Sequence, residues 1–567
     1  MIQSEIESRL CQVVAQHVPD AEQEKILVRP CSNSKHGDFQ SNGLMALAKN
    51  RGMNPRNLAE KVVGDLGLSD ICQSVDIAGP GFLNFKIKSS VVEAVLASAL
   101  KEDLPFVSSA SEPETIVIDF SSPNVAKPMH VGHIRSTILG DSLARILRML
   151  GHKVITDNHI GDWGTQFGML ILGWKTKLNK AALENDPISE LERIYKEINS
   201  DESQREAARH ELVRLQQGDE ENLEIWRGMI ELSQQQFDRV YGRLDVQFNE
   251  TLGESFYNPF LEEIVEELCA KNIAVISEGA IVVRFPDDVQ LNDKPAIVRK
   301  SDGASNYTTT DLATLRYRVK KWSPDKIVYV TDGRQQLHFQ QLFKIFRFWN
   351  KKFEGQLEHV WFGSILGPDG KPFKTRSGET VRLDELLDEA EQRAFKVVSE
   401  KNPELEESDK RIISKTIGIG ALKYSDLSSN RQSDYLFDWD KMLSLQGNTA
   451  PYLQYAYTRV RSIFRKIEEP DWGKVAISLE AGEELSLAKH LMNFGHALEM
   501  VAEDNRPNYL CNYLYDLAGH FSRFYESCPV IKADQVERES RLVLCELTGR
   551  VLRKGLNALG IEVTEVM

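Results

Sequence analysis

His130 and His133 stand three residues apart in the segment Ser121 to Arg135, SSPNVAKPMHVGHIR. Two imidazole donors at that spacing suit the oxygens of a polyphosphate. The flanking residues read as elements that would position them. Glu114 to Phe120 (ETIVIDF) is a short apolar, β-branched run of the kind that makes a buried parallel strand. Ile134, Ile138, Leu139, Leu143, Ile146, Leu147 and Leu150 recur at helical spacing, so a helix is expected to begin where the histidines end. Its first turn would bring free N–H groups and a positive dipole end to an anion. Gly132, between the histidines, is expected to let a nucleotide base lie against the backbone. The four letters alone also suit a satisfied histidine pair or two ligands of a metal site.

The stretch SSPNVAKPMHVGHIRSTILGD, followed by HIGDWGTQFGML, closely resembles the arginyl-tRNA synthetase family, and His130-Val131-Gly132-His133 resembles the HIGH signature of class I aminoacyl-tRNA synthetases. The resemblance implies that the carboxylate of arginine attacks the α-phosphate of ATP, with His130 and His133 hydrogen-bonded to the phosphates. The step brings two anions together, so positioning and cationic stabilisation do most of the work and no general base is required. Mg²⁺ is expected to accompany ATP as counter-cation. The resemblance further implies that tRNA(Arg) is bound before L-arginine is activated, and that the acceptor is the terminal 2′-hydroxyl.

The second phosphate loop of class I enzymes, K-M-S-K-S, corresponds here to Gly367-Pro368-Asp369-Gly370-Lys371-Pro372-Phe373-Lys374-Thr375-Arg376-Ser377-Gly378. Ser377 stands where a lysine is usual, so other cations are expected to hold the pyrophosphate. Lys371, Lys374 and Arg376 are candidates. So is Lys127, three residues ahead of His130, since the resemblance implies that a lysine before the HIGH motif compensates. Taken by its residues alone, the stretch is a Gly-rich surface turn carrying three cations.

A pocket that selects arginine needs a carboxylate to accept two parallel bonds from the guanidinium, with an aromatic or hydroxyl wall. Tyr307 and Asp311, four apart in SNYTTTD, share a face if a helix starts there, and resemble the family's Y-x-x-x-D arginine motif. By itself Asp311 also reads as a charge partner of a helix N-terminus. The resemblance puts Gln335 at the amino-acid end and His338 near the adenosine. Asn124 and Asp119, on the loop and strand edge leading to His130, are expected to receive the α-ammonium and carboxylate.

A chain of 567 residues exceeds the size at which one core keeps growing, so two to four domains are expected. Apolar and charged fractions of 41% and 27% are those of a soluble globular protein. Neither a membrane span nor a secretory signal is visible, and a cytoplasmic protein is expected. The cysteine count is odd and contains no C-x-x-C pair, so neither a disulfide framework nor a structural zinc site follows. A net charge of −15 counts against indiscriminate nucleic-acid binding while leaving room for a local basic face. Nothing marks an obligate interface, so a monomer is expected.

Three regions separate. Residues 1–108 read as an α+β module, with helices over Ile2 to Val18 and Asn54 to Leu66 and a turn and strand at GPGFLNF. Its NPRNLAE and GPGFLNF stretches resemble the family's appended N-terminal domain, which implies contact with the tRNA elbow. Residues 109–440 alternate strand and helix patterns, the mark of a doubly wound parallel sheet, interrupted by a charged helical insertion at about 179–250. Residues 441–567 look all-helical, with an amphipathic helix beginning near Pro451 and others at 484–503, 508–527 and 538–558. NTAPYLQYAYTRVRSI resembles the family's anticodon-binding bundle, implying that Tyr452, Arg459 and Arg465 meet tRNA; by pattern the tyrosines serve equally as core. The expected fold class is therefore α/β: a Rossmann-type catalytic core with an N-terminal α+β domain and a C-terminal all-α bundle. Two alternatives stay open. One is a class I synthetase for another amino acid such as cysteine, which would lack the Tyr307/Asp311 pair and present thiol zinc ligands. The other is a catalytically silent, RNA-binding paralogue.

Overall fold

The computed structural model describes residues 2–18, 26–31, 34–373 and 381–567, which form two compact units. One comprises Met1–Ser108, Ala456–Glu499 and Asn512–Gly555; the other comprises Ser109–Tyr455, Met500–Cys511 and Leu556–Met567.

The larger unit is built on five strands: β1 (Thr115–Phe120), β2 (Lys153–Ile160), β3 (Glu250–Gly253), β4 (Lys326–Val330) and β5 (Gln356–His359). They lie in the order β3-β2-β1-β4-β5 and every neighbouring pair is parallel. The chain winds outward from β1 in both directions, so a crevice opens at the carboxyl ends of β1 and β4, where such sheets take their ligands. Ile116, Val117, Ile118 and Phe120 are all buried. A central parallel strand is covered on both faces, which is why ETIVIDF shows no apolar-polar alternation. Helix α1 (Val131–Met149) returns from β1 to β2. Gly140 lets it lie close against the sheet, since a Cβ there would stand 2.1 Å from the Phe120 ring. Helix α2 (Tyr307–Trp322) leads into β4, and α3 (Gln336–Trp349) joins β4 to β5.

Between β2 and β3 the expected helical insertion consists of Lys180–Asn185, Pro187–Ser200, Arg205–Gln216 and Glu220–Arg243. Between β3 and α2 lies a small antiparallel sheet of Ala274–Ser277, Ala280–Val283 and Ala296–Arg299. The sequence reading did not resolve it, because four-residue strands are too short to display a period.

The smaller unit holds a four-stranded antiparallel sheet in the order Arg29–Pro30, Phe39–Ser41, Phe82–Ile87, Cys72–Ala78. Helix Pro55–Asp65 starts where NPRNLAE predicts: Asn54 accepts from the N–H groups of Arg56 and Asn57, with proline in the first position. Residues from the carboxyl-terminal third pack into this same unit, where Arg550 Nη1 donates to the carbonyl of Leu100 at 2.9 Å. The stretch expected as one helix over 484–503 is two, Gly482–Leu491 and Phe494–Asp504.

Candidate active site

Helix α1 begins three residues earlier than its apolar spacing indicates, because the histidines are part of its cap. His130 is the N-cap, and its Nδ1 accepts the N–H of Gly132 at 3.0 Å. His133, in the first turn, turns its Nδ1 back to accept the N–H of His130 at 3.1 Å. This reciprocal pairing has the geometry of a capping box built from two imidazoles. With each Nδ1 occupied as an acceptor, the neutral ring carries its proton on Nε2, so both side chains offer a donor. The rings lie 4.0 Å apart. Burial holds both imidazoles below the ordinary histidine range, His133 at about 3, and the Lys127 cation adds to the effect at His130. Gly132 has a steric reason beyond room for a base: a Cβ there would come within 2.8 Å of the His130 ring and displace it.

The β1–α1 loop is held from below. Ser121, Ser122 and Ala126 adopt left-handed backbone conformations with φ of 73°, 48° and 60°, a strain that non-glycine residues accept only where the surroundings dictate it. Ser121 Oγ meets Tyr241 Oη at 2.8 Å, and the Ala126 N–H donates to Ser233 Oγ at 2.9 Å, both partners on the Glu220–Arg243 helix. Asp119, expected at the amino acid, is 4% exposed and points inward. Its Oδ2 pairs with Arg318 Nη2 at 2.5 Å, and Oδ1 accepts the Ser122 hydroxyl at 3.0 Å. Arg318, 0% exposed, also reaches Asp157 at 2.9 Å. Burial works against its charge, but the two carboxylates outweigh that and hold it charged. Asn124 stays exposed on the loop, bridged through its backbone to Gly161. Lys127 is exposed, with Nζ 5.4 Å from the Tyr195 ring centre.

Both ends of the second loop are anchored at α1. Buried Arg135 pairs with Asp426 at 3.1 Å and donates to the carbonyl of Gly363 at 2.7 Å. On the far side, the Val131 N–H donates to Val381 O and the Leu383 N–H to Met129 O, each at 2.9 Å. Lys371 is exposed in the Gly367–Lys371 turn, while Lys374, Arg376 and Ser377 lie outside the described residues.

Tyr307 and Asp311 occupy the first turns of α2, whose N-cap is Asn306, and so share a face as expected. His338, expected near the adenosine, stands beside these two. Its Nε2 is 2.5 Å from Asp311 Oδ2 and its ring meets that of Tyr307 edge-on at 4.8 Å. Tyr307 is 62% exposed, forming an open wall. Gln335 is exposed at the start of α3. Glu254, immediately after β3, is the acidic neighbour of Asp311. Burial, then Asp311 and then Asp162, push its carboxyl up to about 7.

Of the residues expected at tRNA, Tyr452 is half-buried in the larger unit. Arg459 and Arg465 belong to the smaller one, Arg459 with its guanidinium 4.6 Å from the Tyr525 ring centre and Arg465 exposed. Tyr457 is core.

Family models match successive parts of the chain: an arginyl tRNA synthetase N terminal domain at residues 1–87, the catalytic domain of tRNA synthetases class I (R) at 95–439, and a DALR anticodon binding domain at 453–567. Arginine–tRNA ligases of Laribacter hongkongensis and Chromobacterium violaceum are each 47% identical to it over 564 residues, 98% of both chains. The chain belongs to the arginyl-tRNA synthetases. The arginine–tRNA ligase of Escherichia coli (strain K12 / DH10B) is 46% identical over 95% of both chains. Among solved structures, the arginyl-tRNA synthetase of Plasmodium falciparum superposes with a TM-score of 0.86 at 29% identity, covering 100% of this chain and 99% of that one. That of Thermus thermophilus gives 0.83 at 25% identity, covering 100% of both. The α/β fold class with its N-terminal and helical C-terminal domains accordingly stands.

Two residues of this synthetase's candidate site went unmarked in the sequence. Glu254 follows Gly253 at the carboxyl end of a strand, the edge where ligands sit, but a four-residue strand gives that edge no visible signature. Arg318 reads as one more cation of a charged helix, and only the folded chain sets it between two aspartates. Among the described residues no helix is long and apolar enough to cross a membrane.

Proposed function

We infer that this synthetase is an arginine–tRNA ligase that activates L-arginine with ATP and transfers it to the 3′ end of tRNA(Arg), releasing AMP and pyrophosphate. The observation that carries the amino-acid assignment is the acidic pocket. Asp311, its carboxylate steadied by His338, neighbours Glu254, whose carboxyl is raised by burial first and then by Asp311 and Asp162, so that a bound cation would be favoured there. The planar guanidinium satisfies both carboxylates at once, with Tyr307 as its wall.

In the first step an arginine carboxylate oxygen attacks the α-phosphorus of ATP, and the bond to pyrophosphate breaks. His130 and His133 donate from Nε2 to the phosphate oxygens, and the α1 N-terminus adds its dipole. Because burial lowers the pKa of both imidazoles below the ordinary histidine value, they are neutral at pH 7 and donate without changing charge as the pyrophosphate leaves. Lys127, Lys371, Lys374 and Arg376 offset the charge of the leaving group. Asn124 and Gln335 hold the α-ammonium and carboxylate. Asp119 acts from beneath, through Ser122 and Arg318, to set the loop that carries Asn124. In the second step the terminal 2′-hydroxyl of tRNA attacks the arginyl carbonyl and AMP departs.

Mg²⁺ would arrive on ATP. Among the described residues no three His, Cys, Asp or Glu side chains are grouped to hold a metal ion, so the roles assigned to the side chains do not pass through one. Residues 1–108 and 441–567 grip the tRNA, with Tyr452, Arg459 and Arg465 among the contacts, and residues 109–440 perform the chemistry. The ligase acts as a monomer in the cytoplasm, where its substrates meet.

The test is attachment of labelled arginine to total tRNA with ATP and Mg²⁺, run beside lysine, cysteine and glutamine, together with ATP–pyrophosphate exchange with and without tRNA. Arginine-only charging, with exchange that requires tRNA, is the expected result. Charging with another amino acid would discard the pocket assignment, and ATP binding without charging would favour a silent RNA-binding paralogue.

A further inference from the structure

The chain carries a net charge of −15, yet one cavity of its catalytic unit is lined by five cations. It has a volume of about 780 Å³ and lies at the far end of α3 from the catalytic crevice. Gln336 starts that helix beside the crevice and Trp349 ends it about 20 Å away at ~1.5 Å per residue. Lys351 and Lys352 lie just past the helix end and are exposed. Lys271 comes from the end of helix Leu261–Ala270, and Arg284 follows strand Ala280–Val283. Lys344 is joined to Asp288, and Asp287 is the only other carboxylate lining the cavity.

Cations near a helix carboxyl end are ordinarily explained by the helix dipole. That accounts for Lys351 and Lys352, and for Lys271, which caps helix Leu261–Ala270 and pairs with Glu267, but not for Arg284, which follows a strand. Nor does it account for Phe348, whose ring is 40% exposed in the same cavity and 6.4 Å from the buried Phe285 ring. An exposed aromatic face beside converging cations offers a stacking surface to a base and charge to its phosphates. The volume is that of a small-ligand pocket, and the cations border one bowl rather than tracking a strand. We propose that this cavity binds a nucleoside polyphosphate at a site separate from the catalytic crevice, with the base on Phe348 and the phosphates on Lys351, Lys352 and Arg284.

The test uses the full-length chain with its catalytic crevice filled by a sulfamoyl analogue of arginyl-adenylate, and labelled GTP as the probe in equilibrium dialysis. Saturable binding of one equivalent is expected. The double variant Lys351→Glu/Lys352→Glu should weaken it by at least about tenfold, and Phe348→Ala by several-fold, the scale of losing one base–aromatic contact. ATP–pyrophosphate exchange by both variants should match the wild type, showing that they are folded. No saturable binding to the wild type, or binding unchanged in the double variant, overturns the proposal. Inorganic tripolyphosphate competing as well as GTP, with no effect of Phe348→Ala, overturns the nucleoside part. Loss of tRNA affinity in the double variant without any GTP binding overturns it in favour of a polynucleotide surface.

Discussion

Glu254→Gln isolates the strained carboxylate of the pocket proposed for arginine. Burial and the neighbouring Asp311 and Asp162 move this carboxyl from the ordinary 4.5 up to about 7. At 1.36 kcal/mol per pH unit, holding it ionised at pH 8 in the empty pocket costs about 3 kcal/mol. A bound guanidinium relieves that cost and adds charge-assisted hydrogen bonds of ~1.5–3 kcal/mol. The substitution should therefore lower arginine kcat/KM at pH 8 by about 10- to 100-fold, with the KM for ATP little changed. Protonated Glu254 cannot pair with a guanidinium, so the wild-type kcat/KM should rise with pH through 7 and then level off, while the variant stays flat over that range. Stability moves the opposite way. Between pH 4.5 and 7 the native carboxyl keeps a proton that the unfolded chain releases, so wild-type stability falls as pH rises through 7. The glutamine variant should melt above the wild type at pH 8 and lose that advantage toward pH 4.5. Steady-state charging from pH 6 to 8.5 at saturating tRNA, with thermal midpoints at both ends, reads both effects. Wild-type kcat/KM at pH 8, or an inflection near 7 that survives the substitution, would refute the placement of Glu254 against the guanidinium.

Three further substitutions probe the rest of the site. Lys127→Ala should slow adenylate formation in a single turnover while leaving arginine affinity near wild type; a normal rate would transfer the pyrophosphate role to Lys371, Lys374 or Arg376. The same variant should raise the His130 pKa, since a nearby cation is removed, and NMR titration of the imidazole would check that shift. Gly132→Ala puts a methyl within 2.8 Å of the His130 ring, so ATP–pyrophosphate exchange should fall at least about tenfold with little change in thermal midpoint; retained exchange would show that the His130 rotamer is immaterial. Arg318→Met leaves Asp119 and Asp157 buried without their counter-charge, a loss of about 3–5 kcal/mol by analogy with other broken buried pairs. A thermal midpoint within a degree of wild type would mean that the two carboxylates find another partner.

Where the chemistry depends on neighbours in the chain, it was legible before folding. The β-branched run Thr115–Phe120, the histidines just beyond it and the apolar repeat of α1 are short-range patterns, and the strand-loop-helix unit follows from them. Tyr307 and Asp311 share a face because four residues make about one helical turn. Even here local reading missed the cap: apolar periodicity is silent about imidazoles that bond to their own backbone. The contacts that complete the pocket have no local signature. His338 meets Asp311 across 27 residues, and Arg318 reaches Asp157 and Asp119 across 161 and 199. Glu254 becomes a strained carboxyl only when its strand end is set beside the start of α2. Composition and spacing by themselves determined which groups the protein has for binding phosphate and guanidinium. The winding of the sheet decided which of them meet, because a buried charge acquires its partner and its pKa only from residues brought in from distant parts of the chain.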